Sequence, residues 1–201
     1  MARDHARLLV SVWTDMAWKS LTSAQQHVYC ALISSPDLSY CGVLPYIPAR
    51  FKGLSSDMTE RRFTQAVQGL AAANFVVVDT ATAEILVRSY VRHDGLLKQP
   101  NVTKALVKAV QRVHSETIRS SIEVELVRLL AEQPTAAGWK GFAALDQDGF
   151  ANLHAKAFPN PSPNPSPNPK ATPLPPSHFP LVGGTSGMHS SIRSVTREAA
   201  S

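Results

Sequence analysis

A mainly helical α+β fold with one small β-hairpin is the architecture this sequence predicts, and three observations predict it. Several stretches space their apolar residues at i, i+3, i+4 and i+7, the pattern of a half-buried helix. Two runs, FVVVD from Phe75 to Asp79 and EILVRSYV from Glu84 to Val91, are rich in β-branched and aromatic residues and are separated only by TATA. That is the signature of a hairpin. The prolines are segregated: only Pro36, Pro45, Pro48 and Pro100 precede Glu132, and the rest lie from Pro134 onward. The first two-thirds is therefore ordinary globular sequence, long enough for a single core of roughly 100–130 residues.

The elements follow in order. Ala6 to Trp13 mixes Leu8, Val10 and Val12 with Leu9 and Trp13 and reads as a short strand or extended lead-in. Its apolar run is too short for a signal peptide or a membrane span, so a protein of the cytoplasm is expected. Thr22 and Gln25 stand at capping-box spacing ahead of a helix whose apolar face carries Leu21, Val28 and Leu32, and which Pro36 stops. Trp18 and Leu21 are placed to pack against its start. CGVLPYIP reads as a short edge strand, because proline is tolerated where no ladder donor is needed. A short helix begins near Pro48 and turns out through Gly53–Ser56; Asp57, with Glu60 three residues on, is expected to cap the helix that follows. Asn74 ends that helix, since asparagine tolerates the left-handed terminal conformation.

Beyond the hairpin, Val102, Leu106, Val110 and Val113 mark one further helix, and Ser115 caps another carrying Ile118, Ile122, Leu126 and Leu129. That second apolar row either closes the core of the monomer or joins two copies into a homodimer. The expected organisation is a domain over residues 1–98 and a helical extension of one or two helices over 99–133. A poorly defined segment over 134–158 and a disordered, Pro/Asn/Ser-rich tail over 159–201 complete it. NPSPNPSPNP, within that tail, lacks apolar side chains and most backbone donors, and reads as an extended linker.

Formal charge is +5 at pH 7, and the pI is about 9.4. Residues 1–115 hold 13 Lys+Arg against 8 Asp+Glu, whereas residues 116–201 hold 7 of each. The positive excess lies on the candidate domain and suits an anionic partner.

The helix before the hairpin carries the sharpest signal. With Phe63 at zero on a wheel of about 100° per residue, Val67 falls near ~40° and Leu70 near ~340°, flanked by Ala66 and Ala73. Arg61, Gln65, Gln68 and Ala72 fall between about 140° and 200°, with Arg62 at the edge. The outward row has no carboxylate. Arginine takes guanine bidentately, glutamine takes adenine, and a small residue lets a helix approach the groove closely. Helix, short strand, short helix, helix and hairpin is, moreover, the element order of a winged helix-turn-helix, in which the last helix enters the groove and the hairpin flanks it. Arg50, Lys52, Arg88 and Arg92 are candidate phosphate contacts, and Lys104, Lys108 and Arg112, recurring every four residues, are a basic strip that extends them. An ordinary solvated face or a partner surface accounts for that strip equally well.

Enzyme chemistry finds no motif. The histidines (His5, His27, His93, His114, His154, His178, His189) include no HExxH pair, and neither GxxxxGK[ST] nor GxSxG occurs. Cys30 and Cys41 lack CxxC spacing and read as two reduced thiols. LDQDG matches only the opening of a calcium loop, without its remaining oxygen ligands or closing Glu. No metal, cofactor or catalytic activity is expected.

LVSVWTDMAWKSLTSAQQHVYCALIS, CGVLPY, TERRFTQAVQGLAAANFVVVD and ILVRSYVRHDG, taken in that order, resemble the winged-helix DNA-binding proteins encoded by actinobacterial phages. Their layout is similar to the N-terminal domain of phage replisome organisers and DnaD-type primosomal proteins. The resemblance spans about Ala6 to Val113. It implies binding of double-stranded DNA near a replication origin in the bacterial host cytoplasm, in association with the nucleoid, and recruitment of a replicative helicase or its loader. After Ser115 the second domain and terminal motif of the DnaD type are not found. Two other roles fit the same domain: a phage transcriptional regulator, and a protein–protein adaptor without base readout.

Overall fold

A sheet of three short strands, held between helices, organises the structure, a computed structural model that describes residues 6–159. The expected tail lies, from residue 160 on, outside the described residues. Among the described residues there are eight α-helices and three strands, and the fold is mainly helical.

The lead-in is not a strand. Residues Val10–Thr14 form a 3-10 helix, and α1 (Met16–Lys19) follows at once. The side chain of Asp15 caps α1, accepting the backbone N–H groups of Ala17 at 2.8 Å and Trp18 at 3.4 Å. In α2 (Ser23–Ile33) the expected capping box is present: Thr22 N–H donates to Gln25 Oε1 at 2.8 Å, and Gln25 N–H to Thr22 Oγ1 at 3.3 Å. Val28, Tyr29, Leu32 and Ile33 turn inward from it.

β1 (Val43–Pro45) is the predicted edge strand. It pairs antiparallel with β3 (Glu84–Val87), which pairs antiparallel with β2 (Val76–Asp79), giving the order β1-β3-β2. The register sets Leu44 against Ile85 and Val78 against Ile85 from the other side, so the central strand is buried along Ile85, Leu86 and Val87. β3 was expected to run to Val91 but ends at Val87, because its partners run out. Val87 N–H donates to Gly42 O and Arg88 N–H to Phe75 O, and neither flanking chain continues. Tyr90 and Val91 instead enter the core from a short helix, α4 (Tyr90–His93).

Between β1 and β2 lie a 3-10 helix (Pro48–Phe51) and α3 (Glu60–Ala72). Thr59 caps α3, accepting Arg62 N–H at 3.2 Å. The expected cap, Asp57, lies two residues too early and accepts Ser55 Oγ–H and the Arg62 guanidinium instead. Asn74 takes the left-handed conformation expected of it, with φ +62°, and Phe75 N–H then reaches Leu70 O at 2.9 Å.

Four helices follow α4: α5 (Pro100–Val110) and α6 (Glu116–Glu132) fill the expected extension over 99–133, and α7 (Gly138–Leu145) and α8 (Gln147–Ala157) occupy the segment beyond it. Ser115 caps α6 as predicted, accepting Ile118 N–H at 3.1 Å. Ile118, Ile122, Leu126 and Leu129 are buried within their own chain, which closes the monomer's core and leaves none of them for a dimer face. The segment 134–158, left undefined by the sequence, is helical over 138–145 and 147–157. Trp139, Phe142 and Leu153 are buried there, and Asp146 of LDQDG caps α8 by accepting Gly149 N–H at 2.8 Å. The described residues all belong to one compact unit, so the expected boundaries at 98/99 and 133/134 divide nothing.

Two glycines in this segment allow α7 to seat against the start of α5 and the residues before it. A Cβ on Gly138 would strike the backbone of Leu97, and one on Gly141 would overlap the Pro100 carbonyl. Gly141→Ala is therefore expected to cost about 1–3 kcal/mol, because the obstacle is backbone and cannot swing aside. A urea midpoint equal to that of the parent would show that the two helices are not in contact there.

Candidate nucleic-acid interface

α3 divides cleanly by face. Phe63, Ala66, Val67 and Leu70 are buried, whereas Arg61, Gln65, Gln68 and Ala72 are all exposed. Phe63, wholly buried, stacks on Phe51 with ring centroids 4.4 Å apart and planes 5° from parallel. That contact seats α3 on the preceding 3-10 helix and fixes which face it turns outward. The outward row contains no carboxylate; Glu60, at the first turn, lies beside the positive end of the helix.

The flanking cations divide into free and engaged. Arg61 and Lys52 are exposed and have no ion-pair partner among the described residues. Arg62 is turned back, donating to the Asp57 carboxylate and, at 3.0 Å, to the Asp57 carbonyl. The Ser55 hydroxyl and the Arg62 guanidinium hold the Asp57 carboxyl below its ordinary range. Arg50 pairs with Asp37 at 3.3 Å, both side chains being more than half exposed, so that pair contributes little and releases readily. Lys104 and Lys108 are exposed on α5, and Arg112 in the turn after it, away from the buried Leu106 and Val107.

Arg88 and Arg92, candidate phosphate contacts by sequence, are both engaged by carboxylates of α6. Arg88 Nη2 lies 3.2 Å from Glu125 Oε1, and Arg92 Nη2 lies 3.5 Å from Glu125 Oε2 and 3.4 Å from Glu132 Oε1. Arg128 Nη1 adds a third guanidinium, 3.2 Å from Glu125 Oε1. Glu125 is buried on α6, and an unpaired carboxylate there would be strongly disfavoured, so the arginines turn inward to it. Sequence reasoning missed Glu125. Its signal was a charged residue between Ile122 and Leu126 within an otherwise apolar stripe.

Glu84 was missed as well. It lies where β3 leaves the hairpin turn, and its carboxylate accepts His114 N–H at 3.0 and 3.2 Å and Ser115 N–H at 2.7 Å. Desolvation works to raise its pKa, but the two backbone donors, with Thr82 and the His114 side chain, outweigh it and hold the carboxyl below its ordinary range. The hairpin turn itself, Asp79 to Glu84, contains two carboxylates and no cation.

A cavity of about 590 Å³ has aromatic walls, including Trp18 and Tyr29, but no residue of the α3 ridge lines it. Among the described residues no cluster of His, Cys, Asp and Glu is disposed to hold a metal ion, and no helix is long and apolar enough to cross a membrane. No family model, curated protein or solved structure matches the chain.

Proposed function

We propose that the protein is a winged-helix protein of the double-stranded-DNA-binding class, with α3 as the helix that enters the major groove. The reading rests on one observation: α3 exposes Arg61, Gln65, Gln68 and Ala72 along a single carboxylate-free row. The order α2, β1, 3-10 helix, α3, β2, β3 supports it, because that order sets a hairpin beside the groove helix. Within the class, the sequence resemblance points to a phage-encoded protein of replication initiation, acting near an origin with a replicative helicase or its loader as partner.

Arg61→Ala and Gln65→Ala are each expected to reduce discrimination between preferred and scrambled duplexes by about 1–3 kcal/mol. Selection from a randomised duplex pool, followed by competition, measures it. If both variants keep the parental preference, α3 does not read bases. Footprinting distinguishes the two DNA-binding roles: repeated sites within an origin indicate replication, and promoter operators indicate transcriptional regulation.

A second reading, a protein-docking adaptor, draws on the acidic hairpin turn and the inward use of Arg88 and Arg92, which remove cations from where a duplex would meet them. Passage through a heparin column at low salt without retention would favour the adaptor. Retention lost on raising salt favours DNA.

A further inference from the structure

We infer that the end of α5 and the turn joining it to α6, clamped onto the hairpin by Glu84, supply the phosphate contacts beside α3, with Lys108 in the last turn of α5 and Arg112 in the following turn as the contacting cations. This rests on the reading of α3 as the groove helix and assigns the flanking contact to residues outside the hairpin.

In winged-helix docking the hairpin flanks the groove helix, so a duplex on α3 would pass the hairpin turn; in this turn Asp79 and Glu84 stand and no cation does. Left unmodified, that turn would repel the phosphates. Both carboxylates are, however, engaged by backbone N–H groups of the protein. Asp79 Oδ1 accepts Ala81 N–H at 2.9 Å and Thr82 N–H at 3.3 Å, which shapes the turn. Glu84 accepts the N–H groups of His114 and Ser115 and is only 12% exposed, while the His114 side chain that faces it, Nδ1 to Oε1 at 3.4 Å, is 83% exposed. The clamp therefore hides the carboxylate and brings the 111–114 turn up against the end of the hairpin.

That turn is anchored from both sides. Val113 and Ser115 are buried, Ser115 caps α6, and the N–H groups of Arg112 and Val113 donate to Ala109 O and Val110 O, each at 3.1 Å. Arg112, between these anchors, is exposed and has no ion-pair partner among the described residues, and the same holds for Lys108 one helical turn earlier. Fixed backbone with a free cation is the arrangement that holds a phosphate, because the entropy of ordering the chain has already been lost on folding.

The test is fluorescence anisotropy of the full chain with a labelled 30-base-pair duplex of random sequence, over a salt series. Each phosphate contact removed lowers the slope of log affinity on log salt by about 0.9, so Lys108→Gln with Arg112→Gln is expected to lower it by about 1.8. Lys140→Gln, an exposed cation on α7, serves as the control and is expected to leave the slope unchanged. Parent binding with an unaltered slope in the double variant overturns the inference and leaves the reading of α3 standing, as does an equal loss in the Lys140 control. No binding by the parent at low salt overturns the α3 reading, and the inference with it.

Glu84→Ala separates positioning from charge. Removing an anion near DNA should by itself tighten binding, so the expected weakening arises only if Glu84 holds the turn in place. Glu84→Gln, which keeps one acceptor oxygen, should recover part of the affinity. Tighter binding by a folded Glu84→Ala protein would overturn the positioning role.

Discussion

Phe63→Ala is expected to destabilise the protein by about 3–5 kcal/mol, read as a fall in the urea midpoint without change of slope. Phe63 is fully buried at the first turn of α3 and stacks on Phe51, while Met58 and Leu70 are also buried around the same helix. Truncation removes the transfer free energy of a ring and leaves a void that the 3-10 helix cannot close, since Pro48 fixes its start. Phe51→Ala should cost less, because Phe51 is only half-buried. The double variant should cost less than the sum of the two by about 0.5–1.5 kcal/mol, the coupling of a stacked aromatic pair. Additivity would show that the rings do not hold each other. The variant also bears on function: with its seat gone, α3 no longer has a fixed outward face, so sequence preference should fall with stability even though no polar residue has changed.

Glu125→Ala is the second large effect, at about 2–3 kcal/mol. Removing one partner of a buried ion pair costs about 3–5 kcal/mol when both charges are enclosed. Here Arg88 and Arg92 are about a third exposed and Arg128 more than half, so water recovers part of that loss. What remains is three guanidiniums crowded around an apolar vacancy. Arg128→Ala should cost under about 1 kcal/mol, in keeping with its exposure. A Glu125→Ala protein as stable as the parent would mean that solvent already screens the cluster. Glu125 joins α6 to the end of β3 and to α4, so the loss should also raise the rate of hydrogen exchange across β2 and β3.

Features written in neighbouring residues were readable before the structure. Thr22 with Gln25, Asn74 and Ser115 each act within four residues, and each performs the task its type and position imply. The two faces of α3 were readable for the same reason: 3.6-residue periodicity is local. Long-range matters were not. Arg88 meets Glu125 thirty-seven residues later, and nothing beside Arg88 announces it. Gly138, Gly141 and Gly149 look like helix breakers in isolation; two of them are sites of close approach to Leu97 and Pro100, which only the folded chain brings near. The end of β3 at Val87 likewise depends on where Gly42 and Phe75 stop offering partners.

The closure of α6 and α7 over earlier segments also governs synthesis. Leu96 and Leu97 are buried, and Gly138, which packs on Leu97, is forty-one residues downstream. A nascent chain halted before Glu125 carries, besides that greasy surface, unneutralised guanidiniums, and is a ready client for holdase chaperones. Leu97 gains its cover from Gly138 only once translation has moved past that residue.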